Sequence, residues 1–397
     1  MSVPFLDLRS MHEEVRAEIE AGWRDLIERS AFVGGPAVAE FERRFAAYCG
    51  ASHAVGVGSG TDALRIALQA VGVRPGDLVV TVPHTFIATV EAITQAGASP
   101  AFVDIEPVSY TMDVEALQRY LERDCTVERG TLVERRRRRP VTALVPVDLY
   151  GQAADWDPLL ELAGRFGLKV VEDACQAHGA RYHGRSCGTF GDAAAFSFYP
   201  GKNLGAMGEA GAITTGSAAV AERCRVLRDH GQRERYIHVT GEGGNARLDA
   251  LQAVVLSAKL QRLEAWNDAR RRIAALYCAR LQGEELVLPA ERSGARHVYH
   301  LYVVQLPERD EVRRQLDALG IATGLHYPVP LHLQEAYAEM GHRMGEFPVS
   351  ERVAAAGLSL PMFPHMTGEQ VDLVAEAVRG ALASTRESYE VASPGRE

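Results

Sequence analysis

From residue 54 to residue 215 the chain repeats one pattern: a short apolar, β-branched run, then a stretch with helical periodicity. Apolar strands occur at Ala54–Gly58, Leu78–Pro83, Pro100–Asp104, Ala143–Asp148, Lys169–Glu172, Ala193–Phe198 and Gly211–Thr215. Helical segments such as Asp62–Val71 and Asp157–Phe166 separate several of them. Runs that are apolar throughout need cover on both faces, and alternation with helices supplies it. The expected architecture is α/β: a large domain with a mostly parallel, seven-stranded sheet flanked by helices.

Two more helices precede the sheet, at 11–30 and 36–49, the second with Pro36 in its first turn and Gly50 beyond its end. After about residue 248 the texture changes. Leu248–Arg280 reads as a long helix or two, Val298–Leu306 as a strand and Glu311–Leu319 as a helix. A Pro/His-rich loop follows, GLHYPVPLHLQEAY, and then helices around 350–357 and 367–384. The expected division is a large domain over 1–250, a smaller α+β domain over 251–388 and a disordered polar tail over 389–397.

Net charge excludes some function classes. It is −9, which favours neither nucleic acid nor an anionic membrane. The six cysteines are scattered, without a CxxC pair or zinc spacing, so reduced thiols and no metal are expected. No apolar run is long enough to span a bilayer, and the charged amino terminus lacks a signal-peptide core, so a cytoplasmic protein is expected. Five consecutive arginines, Arg135–Arg139, read as a solvated loop rather than a docking site for an anion.

Chemistry concentrates in SFYPGKNLGAMGEAGA, Ser197 to Ala212, where a strand runs into a Gly-flanked loop holding a single lysine, Lys202. Such an amine can bond covalently to an aldehyde cofactor. In VVEDACQAHG an apolar strand delivers Asp173 at its carboxyl end, where open α/β sheets bind ligands. A buried carboxylate there keeps a pyridine nitrogen protonated, as pyridoxal phosphate (PLP) needs in order to accept electrons. Alone, Asp173 reads equally well as a helix cap. Gln176 is placed to donate to a ring oxygen, and His178 reads as structural.

In GVGSGTDALRIAL a helix begins after Gly60 and Thr61. Its free N–H groups suit a phosphate, with Ser197 adding a hydroxyl. Phe86, in VPHTFIAT, is placed to stack on a ring, although an aromatic there is more often core. Asn245, in GGNARLDALQA, offers an amide to phosphate, and Arg247 suits a local pair. His326, Tyr327 and His332 occupy the Pro-rich loop and are substrate candidates, against a packed interdomain loop. Arg228, His230 and Arg233 are candidates for substrate phosphates or a donor carboxylate, against a solvated helix end. A nicotinamide-binding Rossmann unit needs GxGxxG, and GVGSGTDA lacks the third glycine.

Taken together and in order, these segments resemble the DegT/DnrJ/EryC1/StrS family of PLP-dependent sugar aminotransferases, which has the type I aspartate-aminotransferase fold. The likeness runs from PFLDL to LSLPMFPHMT. It implies that Lys202 tethers PLP, Asp173 contacts its ring nitrogen and Gln176 lies by the ring hydroxyl. Gly60, Thr61 and Ser197 would bind phosphate, and Phe86 would stack. It further implies a homodimer with shared active sites, Asn245 reaching the neighbouring subunit's cofactor. The implied substrates are L-glutamate and a nucleotide-linked keto-sugar. SFYPGKNLG, DHGQ and LHYPVPLH point within the family to dTDP-3-keto-6-deoxyhexoses, as in antibiotic and surface-glycan pathways; 4-keto sugars are the alternative. A PLP-binding regulatory protein without turnover is the rival from another class. Glu209 stands where the family often has Asp, the Arg-rich stretch near 126–140 is longer than usual, and Lys202 argues against the subgroup in which His replaces the lysine.

Overall fold

The computed structural model describes residues 2–392. Six of the seven expected strands form close to their expected bounds, and the fourth forms at Arg139–Leu144 rather than Ala143–Asp148; they are labelled β1 (His53–Val57), β2 (Leu78–Thr81), β3 (Ser99–Phe102), β4 (Arg139–Leu144), β5 (Lys169–Asp173), β6 (Ala193–Ser197) and β7 (Gly211–Thr215). Their order in the sheet is β1-β7-β6-β5-β4-β2-β3. Pairing is parallel from β6 through β5, β4 and β2 to β3, and antiparallel where β7 joins β6 and β1. The parallel strands therefore end on one edge, and Asp173 is the last residue of β5.

Side chains alternate across the sheet with the period of two that strands impose. Leu144, Ala194 and Phe196 enter one core cluster with Phe41, Phe45 and Trp156. Ala143, Ala195 and Val171 enter the other with Leu64, Ile66 and Ile213. The helices that cover the sheet and lead onward are α1 (Arg16–Arg29), α2 (Gly35–Cys49), α3 (Gly60–Val71), α4 (Ala88–Gln95), α5 (Trp156–Phe166), α6 (Ala218–Arg228), α7 (Ala250–Leu260) and α8 (Leu263–Leu281). The long helical stretch divides into α7 and α8, where the Arg262 N–H donates to Lys259 O.

A third core cluster gathers α8, a two-stranded antiparallel sheet, β8 (Tyr302–Gln305) with β9 (Gly357–Leu360), and the helices α9 (Arg309–Ala318) and α11 (Gly368–Ala392), whereas α10 (Pro348–Ala356) packs its Val353 into the first cluster. Asp104, beyond β3, ties α10 to the main sheet by accepting the N–H groups of Val349 (2.9 Å) and Ser350 (3.0 Å). Because α11 continues to Ala392, the segment expected to fray from 389 is helical through 392; 393–397 lie outside the described residues. Among the described residues no helix is long and apolar enough to cross a membrane.

The arginine run follows a hairpin, Cys125–Glu128 with Thr131–Glu134, and forms the turn from it into β4, with which the hairpin pairs. Arg137 donates to Pro100 O (3.1 Å), Arg138 pairs with Glu128, and Arg139 donates to Gly76 O and Asp77 O. Several of these charges are thus spent on the sheet's own edge.

Behind β5 lies a buried acid pair. Asp148, Glu172 and Cys187 bring two carboxyls and a thiol within 4.8 Å of one another. Burial pushes the Asp148 carboxyl up to about 6 and Glu172 well above the usual range. The folded protein therefore holds a proton that the unfolded chain has released between about pH 4 and 6, so stability falls as pH rises through that window. Asp148→Asn retains an acceptor for the Ala154 N–H (2.8 Å) and offers Glu172 an amide donor. It should flatten the decline in melting temperature across that window, by up to about 3 kcal/mol. A parent-like pH profile in thermal melts would refute the shared proton.

Candidate active site

The β5 and β6 ends carry the site. The Asp173 N–H donates to Pro146 O (2.9 Å), and its carbonyl accepts the Asp148 N–H (3.0 Å), so the strand end is held by the chain leaving β4. The Asp173 carboxylate is buried and accepts from the Thr89 hydroxyl (2.8 Å) and the Cys175 N–H (3.2 Å). Burial raises its pKa; the two donors and the charge of Lys202 act the other way. No arginine or lysine hydrogen-bonds to it among the described residues, so a buried anion here still has a cationic partner to gain.

Lys202 sits in the loop after β6, with its N–H on Tyr199 O (2.8 Å). Its amine makes no hydrogen bond among the described residues. Burial lowers its pKa, opposed by the charges of Cys175 and Asp173. The amine thus sheds its proton more readily than an exposed lysine and becomes a nucleophile. Its charge also reaches His178, His300 and His326, each held neutral chiefly by burial.

Facing these groups is the first turn of α3. Ser59 caps it, its hydroxyl accepting the Asp62 N–H at 3.1 Å, and the turn leaves the Gly60 and Thr61 N–H groups without intrahelical acceptors. The turn lies hard against β6 and β7. A Cβ on Gly60 would fall 2.5 Å from the Ser197 Cβ, and one on Gly211 would strike the Ser59 carbonyl. Glycine at both positions lets a helix amino terminus sit at the strand ends beside Ser197.

On the other flank, the Gln176 Oε1 accepts the Tyr150 N–H (2.8 Å) and its Nε2 donates to the Tyr327 hydroxyl (3.0 Å). The Tyr327 ring lies 5.5 Å from that of Phe86, which is 50% exposed. An aromatic that open, beside a cleft, is not core packing. His326 stacks on Phe5 and bonds through Nδ1 to Ser359 Oγ (2.8 Å), and its carbonyl accepts from the Tyr150 hydroxyl. Burial holds the His326 ring neutral, with its pKa down at about 4.

The structure thus gathers Lys202, Asp173, Gln176, Tyr327, Phe86 and His326, beside Gly60, Thr61 and Ser197. Four candidates are elsewhere. His332 is buried against Phe347 and bonded to Glu351 (3.0 Å), because its loop turns under α10. Arg228 spends its guanidinium on Glu42 and Gly56 O, which locks α6 to α2. His230 is exposed at the end of α6 with φ 55°, and Asn245 is exposed on a segment bridged to Asp229. Arg247 pairs locally with Asp229. Nearby, Arg233, Arg225 and Arg235 help line a cavity of about 540 Å³.

Sequence reasoning passed over Thr89, His84 and Tyr150. Tyr150 adopts φ 59°, a strained state for a non-glycine residue, yet its N–H and hydroxyl are both held, the hydroxyl also by His84 Nε2 (2.8 Å). The signal available was a Tyr-Gly pair shortly after the apolar run Ala143–Asp148.

Residues 13–379 match the DegT/DnrJ/EryC1/StrS aminotransferase family model. The chain is 46% identical over 378 residues to a dTDP-3-amino-3,4,6-trideoxy-alpha-D-glucose transaminase of Streptomyces venezuelae, covering 95% of each chain. It is 42% identical over 381 residues to a pleiotropic regulatory protein of Geobacillus stearothermophilus, covering 95% of this chain and 98% of the other. The crystal structure of S. venezuelae DesV in complex with a ketimine intermediate superposes with a TM-score of 0.89 at 44% identity, covering 96% and 98%.

Proposed function

Because this chain belongs to the DegT/DnrJ/EryC1/StrS aminotransferase family, we propose that it uses PLP tethered at Lys202 to move an amino group from L-glutamate to a nucleotide-linked keto-sugar. One observation carries this reading. A lysine amine and a buried carboxylate lie close enough for each charge to act on the other, beside a helix amino terminus, at the carboxyl edge of a parallel sheet.

The site's own chemistry fits the cofactor. Asp173 lacks a cationic partner and would gain one in the protonated pyridine nitrogen. The first turn of α3 would hold the phosphate through the Gly60 and Thr61 N–H groups, with Ser197 and Thr61 hydroxyls beside it. Phe86 would stack on the ring, and Gln176 would lie by its hydroxyl. PLP supplies an electron sink that stabilises negative charge on carbon next to the bound nitrogen.

What remains falls to this chain's side chains. With the cofactor bound, Lys202 would serve as the general base and acid that carries a proton between the glutamate α carbon and C4′. Burial, which lowers its pKa, favours the unprotonated amine that this task needs. With a keto-sugar bound, the same amine would carry the proton in the opposite direction. His326 and Tyr327 would line the sugar's side of the cleft, and Arg233, which lines the 232–235 cavity, would meet the nucleotide phosphates.

We further propose a homodimer. Phe32, Val33, Tyr199, Tyr236 and Ile237 are exposed apolar side chains near the cleft and the 232–238 hairpin. A second copy would cover them and bring Asn245 to its neighbour's phosphate.

The relative from S. venezuelae is named for a dTDP-linked 3-amino sugar, which supports a dTDP-3-keto-6-deoxyhexose as acceptor. Incubation with L-glutamate and a panel of 3-keto and 4-keto nucleotide sugars, read by mass spectrometry, should show amine gained on the 3-keto dTDP sugar. Amine on 4-keto sugars alone would overturn the position. No cofactor colour change with any amino acid would favour the regulatory reading instead.

A further inference from the structure

Lys259 is a lysine placed where a lysine is costly. It is 1% exposed on α7, and its Nζ donates to one acceptor, the carbonyl of Gly205 at 2.6 Å. No carboxylate offsets its burial, which lowers its pKa to about 8. A leucine or methionine would pack there without that cost. The bond to Gly205, three residues beyond Lys202, is what the amine adds.

Seven residues earlier, two turns back on the same helix face, Gln252 grips the same loop. Its Oε1 accepts the Met207 N–H (2.9 Å), and its Nε2 donates to Met207 O (3.1 Å). The intervening Ala206 N–H donates to Phe198 O (2.8 Å), at the end of β6. Asn203 is held from another direction by Asn267 Oδ1 (2.8 Å) and Val298 O (3.1 Å). The α7 helix is itself anchored, with the Ala250 N–H on Phe32 O (3.0 Å) and Trp23 Nε1 donating to Leu251 O (3.0 Å). His12, on the short helix Leu8–Glu13, feels the Lys259 charge; burial and that charge lower its pKa, so it adds no opposing cation.

We propose that Lys259 and Gln252 are positioning residues: from α7 they clamp Gly205 and Met207 and so fix where the loop holds the Lys202 amine over the strand ends. This rests on Lys202 being the residue that carries the cofactor.

Lys259→Met keeps length and apolarity and removes the donor. Hydrogen exchange followed by mass spectrometry on the cofactor-free protein should show the Lys202 and Ala206 amides exchanging about tenfold faster, the contribution of one hydrogen bond from a charged donor. Strand amides such as Ile213 should exchange at the parent rate. Recombination with PLP should slow by a similar factor. A purely structural role would lower the melting temperature and speed exchange throughout the sheet. Parent-like exchange in the loop, or acceleration shared with the strands, overturns the proposal. Should Lys259→Met not fold, Gln252→Leu is measured the same way and judged by the same two outcomes. The exchange pattern does not depend on PLP. A wrong assignment of Lys202 shows itself separately, as a covalent PLP adduct still found by mass spectrometry after borohydride reduction of Lys202→Ala.

Discussion

Lys202→Ala is expected to cut amine transfer by about 10⁴-fold or more while leaving the fold intact. The size follows from two losses at one atom. Covalent capture of the cofactor disappears, and so does the only base that the proposed reaction places at the α carbon. The fold survives because the amine makes no hydrogen bond among the described residues, so truncation orphans no partner. Removing a partly buried amine whose pKa burial has lowered also takes away a group that is harder to charge in the folded state. Melting temperature should therefore hold or rise slightly at neutral pH. The checks are a thermal melt, and mass spectrometry of the sugar product after a single turnover. Parent-like turnover would reject the mechanism outright; lost turnover with a collapsed melt would mean only that the lysine is needed to fold.

Asp173→Asn should lower turnover by about 10²- to 10³-fold, with opposite effects on catalysis and on stability. An amide cannot hold a pyridine nitrogen in its protonated form; it donates to the neutral nitrogen and so favours the form that accepts electrons poorly. The local hydrogen bonds survive the change. The Asn oxygen can still accept the Cys175 N–H, and the Thr89 hydroxyl, which also contacts Thr85 Oγ1 at 2.9 Å, can turn to accept from the new NH₂. In the cofactor-free protein the parent carboxyl has a raised pKa, so the folded state retains a proton after the unfolded chain has lost its own. That contribution is present below the ordinary carboxylate pKa and disappears as pH rises through the raised value. Cofactor-free Asp173→Asn should thus melt higher than the parent at pH 8, with the gap closing in acid. Equal turnover in the two proteins would separate Asp173 from the ring nitrogen. An equal melting gap at all pH values would deny the raised pKa.

The two variants test different physics at one strand edge. The first removes an atom that must move, the second a charge that must stay. Their common premise is that a parallel sheet aims its strand ends into one cleft, which here places residues 173, 197 and 202 together with the first turn of α3. Residues 173 and 197 and the turn of α3 are delivered by strand and helix ends whose position the core has already determined; Lys202 alone sits on a loop, which α7 holds through Gly205 and Met207.

How much of this could be read in advance differs from element to element. Six of the strands β1–β7, the start of α3, the acid at a strand end and the lysine in the loop beyond one are all written in short windows. Short continuous apolar runs, a Ser-Gly turn before a helix and a Gly-flanked loop are local signals, because strand propensity and helix capping depend on neighbours within a few residues. The tertiary structure alone decided the rest. Thr89 meets Asp173 across 84 residues, Tyr150 reaches His326 across 176, and Lys259 meets Gly205 across 54. It also turned His332 under α10 and spent Arg228 on Glu42. Polar side chains carry no periodicity that names their partners. A buried donor takes whichever acceptor the packed chain brings within reach, and that is known only once the strands are in order.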